Sequence, residues 1–392
     1  MIDSIYVGMT GLSGFSRGLR VIANNTANLN TPGFKSSSLN FSDAFYANGG
    51  NVGGQYSQLG YGLSSSGTSL SFKQGELRQT GNSLDLAVDG QALFRLKDAD
   101  GKITYTRAGQ FEFNKDGILV SKATGAKVMG VDANGAEGEI SISGVHTLAG
   151  KASTSLKFSG NLSTDATTPA LVNGVTVLDA AGGSHALSVR FTNTNATTPG
   201  SWTAELLEGT TAVGTGQVIF VNGKPTVATS KLSMTYTPAG QAAIPLTLDL
   251  STDVTSFAAG SLSTLAFGST DGFAPGELSS TSFDATGTLV MTYANGQKIK
   301  GSKLVLGRFD SAGAVKSLGD NQFESTDDGA WHIGSAGGAF GSVRSGFIEI
   351  SNVDLSQEFS DLVIMQRGYQ ASSQIISTAN EMLQELFAMK KG

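Results

Sequence analysis

Cysteine is missing from all 392 residues. Disulfides, thiolate zinc sites and cysteine catalysis are excluded with it, and the absence suits a chain that works outside the cytoplasm without a disulfide-forming pathway. Histidine is nearly absent. His146, His185 and His332 lie far apart without ligand-like spacing, and each reads as a surface or hydrogen-bonded strand residue. Charge is sparse too: Lys+Arg 26 against Asp+Glu 32 gives a net −6 with no basic block, so the electrostatic footprint of nucleic-acid binding is lacking. No window reaches about 18 uninterrupted apolar residues, so no membrane-spanning helix is expected. The opening "MIDSIYVGMTGLSGFSRGLRVIA" is not a secretory signal either, because Gly8, Gly11, Gly14, Gly18, Arg17 and Arg20 interrupt any apolar core.

Catalytic patterns fail on context. Gly14-Phe15-Ser16-Arg17-Gly18 matches G-x-S-x-G, but a nucleophile elbow needs a strand before it and a helix after it. Here the match lies inside an amphipathic stretch. "DANGAEGE" (132–139) lacks the Asp/Asn ladder and terminal glutamate of a calcium loop and reads as a solvated turn. No phosphate-binding G-x-x-x-x-G-K-[ST] occurs, and Trp202 and Trp331, isolated in β-texture, read as core residues. Neither an enzyme active site nor a cofactor or metal site is expected.

Glycine, by contrast, is plentiful: 52 of 392 residues, against an average near 7%. Without a collagen period, it reads as turns between many short strands. Three textures follow one another. Apolar residues at Ile2, Ile5, Met9, Leu12, Phe15, Leu19 and Ile22 are three or four apart and predict an amphipathic helix over 2–22. Four glycines weaken it, each by about 1 kcal/mol against alanine. Asn24, Asn25, Asn28 and Asn30, then Pro32 and Gly33, predict its end and an abrupt reversal. From about 70 to 345 helical periodicity vanishes, and Asp100-Gly101, Asp116-Gly117 and Asn295-Gly296 are strong hairpin signals. Near Asn352 the third texture starts. Leu355, Leu362, Tyr369, Ile376 and Leu383 recur every seven residues, flanked by Phe359, Met365, Ala379 and Leu386, and predict a long helix with a heptad seam.

The expected fold is therefore mainly β with α-helical termini, the β-domains nested between N- and C-terminal helices that pack as a coiled coil. Residues 1–70 and 350–392 are expected to form a helical terminal domain, 71–144 and 285–349 a shared β-rich domain, and 145–284 an inserted barrel- or sandwich-like domain. The stretch "NGGNVGGQYSQLGYGLSSSG" (48–67) reads as a flexible join. A two-helix pair leaves an apolar stripe that neighbouring copies could bury, so self-association is expected. It would use Ile5, Leu12, Leu19 and Ile22 on the first helix and Leu355, Phe359, Leu362, Tyr369, Ile376, Leu383 and Leu386 on the second. A shaped turn at Asn24, Asn25, Asn28, Pro32, Gly33 and Phe34 would complete the contact.

These residues also carry a resemblance. "ANNTANLNTPGFKS" is similar to the N-terminal signature of the flagellar axial proteins, the rod and hook group. Residues 74–131 resemble the domain shared by distal rod and hook members, and 345–392 resemble their C-terminal segment. "FSGNLSTDA" (158–166), "GSHALSVRFTNT" (183–194) and "DGFAPGELSSTSFDATGTLVMTYANGQ" (271–297) are similar to the insert that hook-type members have and the shorter rod-type members lack. The resemblance implies a structural subunit of a curved, flexible tube that joins the basal-body rod to the filament and transmits motor torque. It implies as partners other copies of the chain, rod and hook–filament junction proteins, an assembly cap and the flagellar type III export apparatus. The implied location is the flagellum, outside the cell, reached without a cleaved signal peptide; neither nucleic acid nor membrane insertion is implied. Two rivals stand beside this reading: a distal rod subunit, and a secreted adhesive or carbohydrate-binding β-protein, against which the singly scattered aromatics count.

Overall fold

A computed structural model describes residues 2–52 and 55–390. Helix α1 runs Ile2–Ala27 and helix α2 runs Leu355–Lys390, with short strands between them. Mainly β with helical ends is what the periodicities predict. Neither helix is long and apolar enough to cross a membrane. The chain divides into two compact units. One runs to Ser143 and takes in Thr281–Met291 and the chain from Ile299 onward; the other comprises Gly144–Ser280 and Thr292–Lys298.

The first unit holds both helices. α1 ends five residues later than its apolar pattern, so Asn24 and Asn25 belong to its last turn. Asparagine usually shortens a helix by bonding its own backbone, but the Asn25 side chain is engaged with Ser37 and Glu358 instead. Beyond the turn, the segment expected as a flexible join forms strands. Ser37–Asp43 pairs antiparallel with Leu63–Leu70, and Tyr46–Val52 with Gln55–Gly60; Gly53 and Gly54 of that join lie outside the described residues. Half-buried Leu39, Leu63 and Leu70 alternate with serine along the first pair, a period of two that the glycines conceal in the sequence. This arm lies against α1: the rings of Phe15 and Phe41 are 6.0 Å apart, and Arg17 Nη1 donates to Ser65 Oγ at 2.6 Å.

Most of the remaining strands of this unit form an antiparallel sheet in which Lys127–Val131, Leu93–Lys97, Ile103–Thr106, Gln322–Ser325 and Val315–Gly319 are successive neighbours, while Leu86–Asp89 pairs with Ser342–Ser345 and Leu77–Gln79 with Phe347–Glu349. The expected hairpin turns are present: Gly101, Gly117 and Gly296 all have positive φ (84°, 75° and 79°). Trp331 is a core residue stacked on Tyr105, its Nε1 donating to Ala314 O. "DANGAEGE" contains a tight turn in which Asp132 Oδ1 accepts from the amides of Asn134 and Ala136.

In the second unit a five-stranded antiparallel sheet (Ala170–Leu178 to Lys224–Pro225) and a four-stranded one share a core. The four-stranded sheet contains one parallel pair, Ser155–Asn161 with Ile244–Thr255. Trp202, Phe191, Phe158 and Tyr236 fill the core from alternate positions, as Lys231–Tyr236 shows by exposing and burying successive residues. Trp202 Nε1 donates to Ser256 Oγ at 3.1 Å. His185 bonds Asp179 at 3.0 Å, and that contact, with two backbone amides, holds the Asp179 carboxyl down to about 2.

Candidate assembly surface

The two helices are antiparallel and unusually close. A Cβ on Gly8 would lie 2.8 Å from Ile376 Cγ1, one on Gly11 2.6 Å from Ser372 Oγ, and one on Gly18 2.8 Å from Met365 Sδ. From α2, Gly368 receives the Phe15 ring, 2.5 Å from where its Cβ would sit. The glycines that weaken α1 in isolation are thus the positions that admit its partner. Gly14 faces the strand arm, against Leu63 and Phe41.

Of the residues expected at the helical seam, Ile22 is buried and Ile5, Leu12 and Leu19 are half-buried on α1. On α2, Leu355, Leu362, Ile376 and Leu383 are half-buried. Phe359, Tyr369 and Leu386 are not part of the intramolecular seam, being 54%, 39% and 47% exposed. A second row with the same spacing of seven, Glu358, Met365, Ser372 and Ala379, turns inward, and Ser372 and Ala379 are its most buried members. Met365 and Ala379 flank the seam in the sequence, but Glu358 and Ser372 carry no hydrophobic signal, so half of this row goes unseen there. Exposed apolar residues recur along both helices, among polar ones: Val363, Ile364, Ile375, Met382 and Phe387 on α2, and Tyr6 and Met9 on α1.

The asparagine turn is a junction. Asn25, 2% exposed, donates from Nδ2 to Ser37 O and Glu358 Oε1, both at 2.8 Å, and accepts from Ser37 N at 3.1 Å. One amide therefore links α1, the first strand of the arm and the start of α2. Asn28 donates to Asn24 O at 2.9 Å, satisfying a carbonyl in the last turn of α1, and accepts from Thr31 Oγ1. Pro32 O accepts from Asn321 Nδ2 at 3.0 Å. Gly33 has φ +72° and its Cβ would lie 2.4 Å from the Ala108 amide nitrogen, so both backbone shape and space require glycine. Phe34 is half-buried, and Asn24 and Asn30 are exposed. At the start of α2, Asp354 Oδ1 caps the amides of Ser356 and Gln357.

Beneath this turn lies a charge cluster that sequence reading misses. Lys35, Arg107 and Glu349 are respectively 3%, 2% and 1% exposed. Lys35 Nζ donates to Glu349 Oε1 at 2.6 Å and to Lys73 O at 2.7 Å. An Arg107 nitrogen is 2.8 Å from Glu349 Oε2, at ion-pair distance but off the N–H direction, and Arg107 also donates to the carbonyls of Gly90 and Ala92. Burial pushes the Lys35 ammonium below the ordinary lysine range, against the opposing pull of Glu349. Two cations and one carboxylate thus tie the segment after α1 and the segment before α2 to the shared β-strands. Among the described residues no group of three or more His, Asp or Glu side chains is placed to hold a metal.

Comparison with known proteins completes the picture. Residues 5–35 match the family described as "Flagella basal body rod protein", 87–168 the "Flagellar hook protein FlgE/F/G D1 domain", and 344–389 the "Flagellar basal body rod FlgEFG protein C-terminal". The flagellar hook protein FlgE of Escherichia coli is 30% identical, with 97% of this chain and 98% of that protein aligned. That of Borreliella burgdorferi is 29% identical over the whole of both chains. The crystal structure of Helicobacter pylori flagellar hook protein FlgE2 shares the fold, with TM-score 0.53 at 13% identity, covering 69% of this chain and all of that one. With rod-type and hook-type segments in this order and a hook protein aligned from end to end, the chain belongs to the flagellar hook protein family, whose members are structural subunits and not enzymes.

Proposed function

We propose that this chain polymerises into the curved, flexible tube that joins the basal-body rod to the filament and transmits motor torque. The observation that carries the reading is the set of apolar side chains on α1 and α2 that stay exposed although the pair is already closed on its inner side. Exposed apolar side chains gathered on one helix pair mark an interaction site, and contacts between unlike faces of identical subunits build helical polymers. In this reading Phe359, Tyr369 and Leu386 meet neighbouring copies, while Ile5, Leu12, Leu19, Leu355, Leu362, Ile376 and Leu383 hold the pair itself. The turn from Asn24 to Phe34 takes the chain out of the inner wall. The helices form that wall. Export proceeds as unfolded chain through the type III apparatus, without a cleaved signal peptide, and subunits add beneath a cap outside the cell.

Electron microscopy of the purified full-length chain left to polymerise tests this. Curved tubes are expected. Straight rods would favour the distal rod reading, and persistent monomers at high concentration would overturn assembly.

A further inference from the structure

The outer face of the helix pair carries charges of both signs that its own fold leaves unpaired. On α1, Arg17 and Arg20 are exposed, one helical turn apart, and border a groove of about 490 Å³ between α1 and the strand arm; Leu39 and Ser65 form part of its far wall. Arg17 bonds only the Ser65 hydroxyl, and among the described residues no carboxylate is within ion-pair distance of either guanidinium. On α2, Glu381 and Glu385 are exposed, again one turn apart, and none of the described cations reaches them. Residues three and four apart share a helix face, so each pair presents two like charges on one face, three apart on α1 and four apart on α2.

The two pairs cannot meet within one molecule. Met365 lies opposite Gly18, and Glu381 is sixteen residues further along α2, roughly 24 Å at a rise of 1.5 Å per residue. This is also where α2 runs past the start of α1: Gly8 already faces Ile376, so the helix beyond Leu383 has no α1 residue beside it. That overhang carries exposed Leu386, Phe387 and Met389 together with Glu385.

We propose that the overhanging end of α2 in one copy docks at the α1–arm groove of a second copy, Glu381 and Glu385 pairing with its Arg17 and Arg20. The occupant is a second copy because this chain itself supplies the complementary charges, each pair about one helical turn apart, with Glu385 on the bare overhang and Glu381 at its edge. Donor and acceptor lie at different places along the pair, so the contact is heterologous and propagates. Electrostatic complementarity of this kind fixes which neighbour is accepted and in what register. The inference rests on the assembly reading above and names the surface that it uses.

The test is a charge swap in the full-length chain. Arg17→Glu with Arg20→Glu, and separately Glu381→Arg with Glu385→Arg, should each raise the critical concentration for polymerisation at least about tenfold, because like charges then face each other. Combining all four substitutions should restore it to within about threefold of the unmodified chain. Arg17→Gln with Arg20→Gln should raise it less and make it insensitive to salt. Circular dichroism and gel filtration of each monomer establish that the β-units remain folded. Wild-type-like assembly of both reversal pairs, or a fourfold variant that assembles no better than they do, would overturn the docking contact. Failure of the unmodified chain to form tubes would instead overturn the assembly reading itself.

Discussion

At Lys35, Arg107 and Glu349 the number of charges decides which substitution matters. Glu349→Gln leaves two buried cations without a counter-charge, and breaking a buried pair in this way costs about 3–5 kcal/mol. Lys35→Met leaves Arg107 and Glu349 paired one to one, with the smaller loss of about 1–3 kcal/mol for the hydrogen bonds removed. Urea denaturation should therefore rank Glu349→Gln as the more damaging; the opposite order would mean that the carboxylate is not the hub. Two glycines separate shape from space in the same manner. Gly18→Ala meets only the flexible sulfur end of Met365 and regains up to about 1 kcal/mol of helix propensity, so its melting temperature should hold or rise. Gly33→Ala meets backbone at 2.4 Å with φ +72°; the left-handed conformation alone costs about 1–2 kcal/mol, and thermal unfolding should reveal at least that loss.

Among elements, the helices were legible because a period of 3.6 or 3.5 in large apolar residues is a strong signal. Leu355, Leu362, Ile376 and Leu383 are inward-facing for that reason. The features that stayed hidden have a common cause. Ser372 is buried because it is small, the three-partner bonding of Asn25 lies behind a residue expected only as part of a turn, and Lys35 is buried because its counter-charge lies 314 positions away. None of these depends on hydrophobicity, the one property that patterning reads. The strand arm was hidden by its glycine content, which resembles that of a linker. Truncation from Ile376 onward removes the Gly8 contact, buried Ala379 and the apolar overhang while leaving every strand in place. Sedimentation should then show a monomer that no longer assembles, and circular dichroism an unchanged β-signal. Loss of the β-signal would place α2 within the fold of the β-units.

For the molecule as a whole, the division into two units makes the second one removable. Its core, from Leu156 to Leu265, is complete within itself, and domains of this kind tolerate excision at exposed turns. Replacing Gly144–Ser280 by a short glycine linker should still give tubes, because the helix pair and the strands from Lys127–Val131 to Val315–Gly319 are untouched, but straighter or stiffer ones if the proposed assembly uses the second unit for contacts that slide. Failure to polymerise despite a folded first unit would assign assembly to the insert instead.

One property of the helix pair reaches beyond packing. The amide of Asn25 and the carboxylate of Glu358 that it holds are 333 positions apart, so α1 has only the strand arm beside it, and no helical partner, until almost the entire chain is present. A product cut short before α2 by a nonsense codon or a protease can still complete much of its β-structure. It presents Gly8 and Gly11 to nothing, and α1 alone is too marginal a helix to persist. On the assembly proposed above, the face that α1 and α2 build together exists only on chains read through to the far helix. On that reading topology itself acts as a length check, since a fragment lacks half of the paired face.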